Sequence, residues 1–248
     1  MISALADADV ASLKLLWQQV EPEVAAADHL DMAAQAVTRK LFESFPDSIA
    51  LARAFLTVPL EALPAANRTF VHALATRAGI LAELKPTTSV LSLIGTFGGQ
   101  EAWCDRRRSQ GHIGIPLVSV AFVDGIPMVS RLLQQLGMKL DWLERGDTGI
   151  MAKVLGSSSG VFYVAEASLE TDRLGRKVIA AQDFVADHHI RSVFGFGGSY
   201  FGGSIVTFIL FCTRAIDRAV AQRFAALANL FKAATVSLAG STSVFSGD

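Results

Sequence analysis

Apolar residues recur at helical spacing near the start of the chain. Val10, Leu13, Leu16, Trp17 and Val20 share one stripe, which predicts a helix over Val10 to Ala27 with a bend at Pro22. Ala33, Val37, Leu41 and Phe45 follow at intervals of four and predict a second helix over Asp31 to Phe45, stopped by Pro46. Bulky residues then mark a strand over Arg53 to Leu60. Pro64 is placed to open a helix and Gly79 to close it. Short apolar runs predict strands at Ser89 to Gly95 and Gly114 to Val118, separated by a long polar loop from Thr96 to His112. Ser119 caps one or two helices ending at Gly137, divided at Pro127. Val161 to Ala165 reads as a strand. Arg191 to Gly198 and Ser204 to Thr213 read as a hairpin, both runs rich in Phe, Val and Ile and joined by a glycine-flanked turn.

The last element, Ala215 to Ala239, reads as a long helix. Val220, Phe224, Leu227 and Phe231 alternate at spacings of four and three. That period fits a helix lying on the sheet. It equally fits a seam shared with a second subunit, which makes these four residues the candidate dimer interface. The element order predicts an α+β fold, with a mainly antiparallel sheet and the terminal helices on one face.

Composition narrows the function. The 248 residues are 51% hydrophobic, so a sizeable core is expected, and no linker divides the chain. No run approaches the roughly 20 apolar residues of a membrane span. The first ten residues lack the basic head of a secretory signal, so a cytoplasmic location is expected. A net charge of −1 argues against nucleic acid as a partner. Two cysteines, Cys104 and Cys212, are too few for a disulfide scaffold or a tetrathiolate metal site.

The glycine-rich run from Gly195 to Gly203 lacks the helix that a phosphate loop requires, so it reads as a hairpin turn. The segment Trp103 to His112 is the richest in chemistry. Its candidate ligand-binding residues are Trp103, Asp105, Arg106, Arg107, Ser109 and His112. Trp103 would pack on a ligand, Arg106 and Arg107 would neutralise an anion, and His112 would donate a hydrogen bond. Cys104 with His112 suggests a nucleophile and base, but no oxyanion device accompanies them. Adjacent His188 and His189 point oppositely on an extended chain and make a poor pair of metal ligands. Cys212 sits within a core strand pattern.

Several segments resemble one family. They are Val161 to Ala167, Gln182 to Val185, Ile190 to Gly198, Ile115 to Ser119 with Ile126 to Met128, and Ala102 to Arg107 with Gly111 and His112. Together, over roughly Arg53 to Ala234, they resemble the GAF-like input region of bacterial sensor histidine kinases and related signalling proteins. Cys104 stands where the family usually has Asn. The resemblance implies a GAF-like antiparallel sheet flanked by helices, often dimeric through its terminal helices. Residues 1–50 would be N-terminal helices, 51–239 the GAF-like domain and 240–248 a flexible tail.

It further implies a regulatory module that binds a small, in one reading anionic, ligand and signals through its terminal helices to a partner protein. The expected assembly is a homodimer. The GAF-like methionine sulfoxide reductases form an enzymatic branch that recycles through several cysteines, so this chain is expected not to be an enzyme. Three alternatives stay open. They are a ligand-free interaction or dimerisation module, a tetrapyrrole sensor using His112 or His189, and an enzyme built on Cys104. The sequence names no cofactor.

Overall fold

The computed structural model describes residues 4–109, 111–138, 140, 160–201, 203–239 and 244–247. Two helices come first, α1 (Val10–Ala25) and α2 (Leu30–Ser44). Asp9 caps α1 by accepting the Ser12 amide at 2.7 Å, and the helix runs on past Pro22. Then follow β1 (Ile49–Pro59), α3 (Ala65–Ala78), β2 (Ser89–Gly98) and β3 (Gly114–Pro116). Gly79 ends α3 in the left-handed region at φ 73°, as its position predicted. Next come α4 (Val120–Asp124), α5 (Pro127–Gln135) and β4 (Gly160–Val164). The chain closes with α6 (Gln182–Asp187), β5 (Ser192–Ser199), β6 (Ile205–Cys212), α7 (Arg218–Arg223), α8 (Ala225–Ala234) and α9 (Val236–Ala239).

The strands form one antiparallel sheet in the order β3-β2-β1-β6-β5-β4. This is an α+β arrangement, an open antiparallel sheet with helices on both faces, as the element order predicted. Side chains alternate across it, because successive residues of a strand point to opposite faces. Ala52, Ala54 and Leu56 of β1 join Phe208 and Leu210 of β6 beneath α1, α2, α7 and α8. Leu51 and Phe55 of β1 join Ile209 and Phe211 of β6 in a second core beneath α4, α5 and α6. The sheet is therefore the middle of three layers.

The contact between α2 and the sheet is unusually close. A Cβ on Gly95 of β2 would lie 2.8 Å from the Ala34 backbone, so only glycine admits the helix there. Gln35 of α2 ties the two together. Its side chain donates to the Thr96 carbonyl at 2.7 Å and accepts from the Thr96 amide at 3.0 Å.

The C-terminal helix is three short helices rather than one. At the second break, buried Thr235 donates from its hydroxyl to the Phe231 carbonyl at 2.6 Å and pairs with the Tyr200 hydroxyl at 2.7 Å. The stripe read as a dimer seam faces inward. Val220, Phe224, Leu227 and Phe231 are all buried in the chain's own core. Phe224 lies between the rings of Phe194, 5.1 Å away, and Phe45, 6.3 Å away, while Phe231 meets Phe208 edge-on at 5.1 Å. These residues are thus corrected from subunit interface to core. Phe224→Ala is expected to destabilise the fold by about 3–5 kcal/mol. Urea unfolding measures this, and a seam between subunits would instead show dissociation of a folded chain.

Residues 244–247, within the segment expected to be a flexible tail, return to the body. Val244 and Phe245 pack on the helical core, and the Val244 carbonyl accepts the Asp31 amide at 2.9 Å.

Candidate functional site

The loop between β2 and β3 lies at the end of the sheet and reaches both of its faces. On the helical face it is anchored. Buried Arg106 donates through Nε to the Asp31 carboxylate at 2.7 Å, and its guanidinium lies 5.1 Å from the Phe245 ring. Arg106 and Arg107 both donate to the Ser246 carbonyl, and Arg107 also to that of Gly247 at 2.9 Å. Asp31 completes the junction by accepting the Ser246 amide at 3.0 Å and hydroxyl at 2.9 Å. Asp105 accepts the Arg107 amide at 2.9 Å, a local turn. Asp105, Arg106 and Arg107 thus form an anchor between loop, α2 and tail; with Cys104 they line a more open hollow of about 550 Å³ on that face, separate from the cavity that Trp103, Ser109 and His112 line.

Trp103, Ser109 and His112 turn to the other face. There they line a partly enclosed cavity of about 340 Å³ between the sheet and α4 to α6. Its walls are apolar, with Met128, Leu132, Ile179, Phe184, Ile209 and Phe211 among them. The aromatic wall is continuous. Phe184 meets Phe211 at 5.3 Å and Trp103 at 5.8 Å, and His188 packs on Trp103 at 4.6 Å. At this wall α5 begins, with Pro127 as its first residue, and its N-terminal end adds a partial positive charge.

Among the described residues, one full charge stands in this cavity, that of Arg53. On β1 it pairs with Thr96 of β2 and Ile209 of β6, so it rises from the middle of the sheet. The alternation that turns Leu51 and Phe55 to this face turns Arg53 the same way. Its Nη2 donates to the Ser109 hydroxyl at 2.9 Å, and its guanidinium carbon lies 5.3 Å from the Phe55 ring centre. Its Nε is buried with no hydrogen-bond partner. No carboxylate of the described residues pairs with it, and none lines the cavity. Burial lowers its pKa to about 10, so it stays charged at neutral pH. The accessible area that Arg53 keeps fits its place on a cavity wall.

His112 stands at the rim, exposed by area yet ringed by protein atoms. Burial first, and then the Arg53 charge, lower its pKa from the ordinary 6.5. The ring is therefore neutral at neutral pH, with one N–H to donate. Because the unfolded chain takes up this proton more readily, folding stability is expected to fall as pH drops below 6.5. The loss is shallow, since solvent reaches the ring. His112→Gln removes it, as thermal unfolding between pH 7.5 and pH 5 would show.

The cysteines lie elsewhere. The Cys104 thiol is placed against the Gly98 and Gln100 carbonyls, at 3.5 and 3.4 Å. Cys212 is fully buried and its thiol pKa is raised by that burial. Among the described residues no cluster of three His, Cys, Asp or Glu has the makings of a metal site. No helix of the described residues is long and apolar enough to cross a membrane.

No protein-family profile matches the chain, and no curated protein matches it. Solved structures of similar architecture include the free methionine-R-sulfoxide reductase of Neisseria meningitidis with its substrate, at TM-score 0.48 and 12% identity over 96% of this chain and 98% of that one. Another is the GAF domain of a phosphoenolpyruvate-protein phosphotransferase from Coxiella burnetii, at TM-score 0.45 and 12% identity, covering 93% of this chain and 96% of that one. A third is the chromophore-binding domain of Stigmatella aurantiaca phytochrome P1, at TM-score 0.44 and 8% identity, covering 92% of this chain and 61% of that one.

Two site residues escape a reading of the sequence. Arg53 reads as one polar position at the start of a strand, although the Leu51-x-Arg53-x-Phe55 alternation marks it as a charge on an apolar face. Phe184 belongs to α6, a helix of six residues that carries no clear period of its own.

Proposed function

We propose that this chain is a non-catalytic regulatory module that takes a small anion-bearing ligand into the cavity over Arg53. The observation that carries the reading is an arginine on the wall of an apolar, ligand-sized cavity, with no carboxylate of the described residues beside it and its Nε without a partner. A charge held without a partner costs stability, and a fold that retains one has a use for it. Ser109 and His112 stand ready as further donors, and Trp103 with Phe184 supplies an apolar contact.

The same loop gives the module an output. One side of it meets the ligand, while the other holds α2 through Arg106–Asp31 and the tail through Ser246. A ligand that draws Ser109 and His112 inward shifts the register of that anchor. Occupancy then biases the setting of the terminal segments, which a partner protein reads. A homodimer, in this reading, assembles through a surface other than the stripe from Val220 to Phe231, which is core.

Native mass spectrometry of freshly purified protein, with an absorption spectrum alongside, tests the proposal. A colourless, non-covalent anionic adduct on the wild type that is lost in Arg53→Met is the expected result. A visible band would instead support a chromophore. A mass retained in Arg53→Met would show that no anion is held by this guanidinium.

A further inference from the structure

The cavity over Arg53 carries enough chemistry to name the class of its ligand, provided that it is the binding site proposed above. We infer that the ligand is an apolar monocarboxylate, an aryl or branched acyl group with a single carboxylate that sits on Arg53, Ser109 and His112.

The charge count is the first argument. Arg53 is the one fully charged side chain among the described residues lining the cavity, and no acid among them lines it. A monoanion is neutralised by one guanidinium. A phosphate ester at neutral pH brings close to two charges, and the partial charge at the start of α5 offsets only part of the second. His112 is neutral in the ligand-free chain, where burial and the Arg53 charge both lower its pKa, so it adds no standing charge to this count.

The donor set is the second argument. Arg53 spends one N–H on Ser109, and the remaining edge of its guanidinium offers a carboxylate the paired in-plane contact that it prefers. The Ser109 hydroxyl accepts from Nη2 of Arg53, which leaves its own O–H to donate. His112 has one N–H. These three donors suit the two oxygens of a carboxylate. No glycine-rich loop leading into a helix stands here among the described residues to cradle a phosphoryl group.

The walls give the third argument. Met128, Leu132, Ile179, Ile209 and Phe211 have no hydrogen-bonding side chains, so a sugar or nucleotide would leave its hydroxyls unpaired. An apolar body loses nothing by entering. A volume of about 340 Å³, at about 30 Å³ per water-sized atom, sets the ligand at on the order of a dozen non-hydrogen atoms. Phe184 and Trp103 form an edge-on aromatic corner against which an aryl ring packs well.

Hydrocinnamate, its uncharged amide and phenethylphosphonate share one body and differ at the head. Calorimetric titration of all three into the full chain, with thermal unfolding alongside, tests the inference. Hydrocinnamate is expected to bind at least about tenfold more tightly than the amide and than the phosphonate, the range of a charge-assisted hydrogen bond. In Arg53→Met, shown folded by circular dichroism, acid and amide are expected to bind alike. In Ile179→Trp, which narrows the cavity, all three are expected to bind at least about tenfold more weakly. An amide equal to the acid, or a tighter phosphonate, would overturn the carboxylate class while leaving the cavity as the site. Binding left unchanged by Ile179→Trp, or no response to any of the three by the wild type, would overturn the cavity reading and the class with it.

Discussion

Arg53→Met is expected to raise the melting temperature of the ligand-free protein. Most substitutions in a sheet interior destabilise, so the sign is diagnostic. In the wild type a guanidinium is held among apolar side chains with Nε unpaired and no carboxylate of the described residues beside it. Its compensation is one hydrogen bond to Ser109 and the face of Phe55. An unsatisfied buried polar group costs about 1–3 kcal/mol, and a charged one more. Methionine fills a similar volume without that penalty, and its sulfur suits the neighbouring Phe55 ring. Set against the lost hydrogen bond, a net gain of about 1–2 kcal/mol is expected, or roughly 2–8 °C in a chain of this size. Differential scanning calorimetry of ligand-free wild type and variant checks it. The gain reverses the ligand response, because the variant no longer has a charge for the ligand to neutralise. A lower melting temperature in Arg53→Met would mean that the arginine has a structural partner and is no vacant receptor.

The second large effect lies on the opposite face of the loop. Asp31→Ala is expected to destabilise the protein by about 3–5 kcal/mol, because it strands the buried Arg106. Asp31 also receives the amide and hydroxyl of Ser246, so the tail loses its hold in the same step. The Asp31→Leu, Arg106→Met double variant is expected to recover much of the loss, since two apolar groups of fitting size replace a buried pair at little cost. Its tail should remain loose. Urea unfolding reads the first effect, and hydrogen exchange at residues 244–247 reads the second. The two separate the stability of the pair from its work as an anchor.

The layers were legible in the sequence because burial imposes its period on a chain. Alternation predicted the hairpin of β5 and β6, and Pro64 with Gly79 bounded α3 closely. The seam from Val220 to Phe231 was ambiguous for a physical reason. A helix on a sheet and a helix on a second subunit need the same stripe, and only the rings of Phe45, Phe194 and Phe208 decide between them.

The site was half legible. Trp103, Ser109 and His112 line the cavity, whereas Arg106 and Arg107 turn away from it. Loop side chains take their direction from partners far along the chain. Arg106 is set by Asp31, 75 residues before it, and by Ser246, 140 residues after it. Composition likewise made the last residues read as a loose tail. Val244 and Phe245 are the two apolar positions there, and they carry the segment back onto the core.

The most direct test is a crystal structure of the full chain with para-bromohydrocinnamate, using the anomalous signal of bromine to place it. Bromine is expected among Met128, Ile179 and Phe211, with the carboxylate on the Arg53 guanidinium. Bromine bound elsewhere, or a cavity left empty with Arg53 undisturbed, would contradict a ligand site over this arginine.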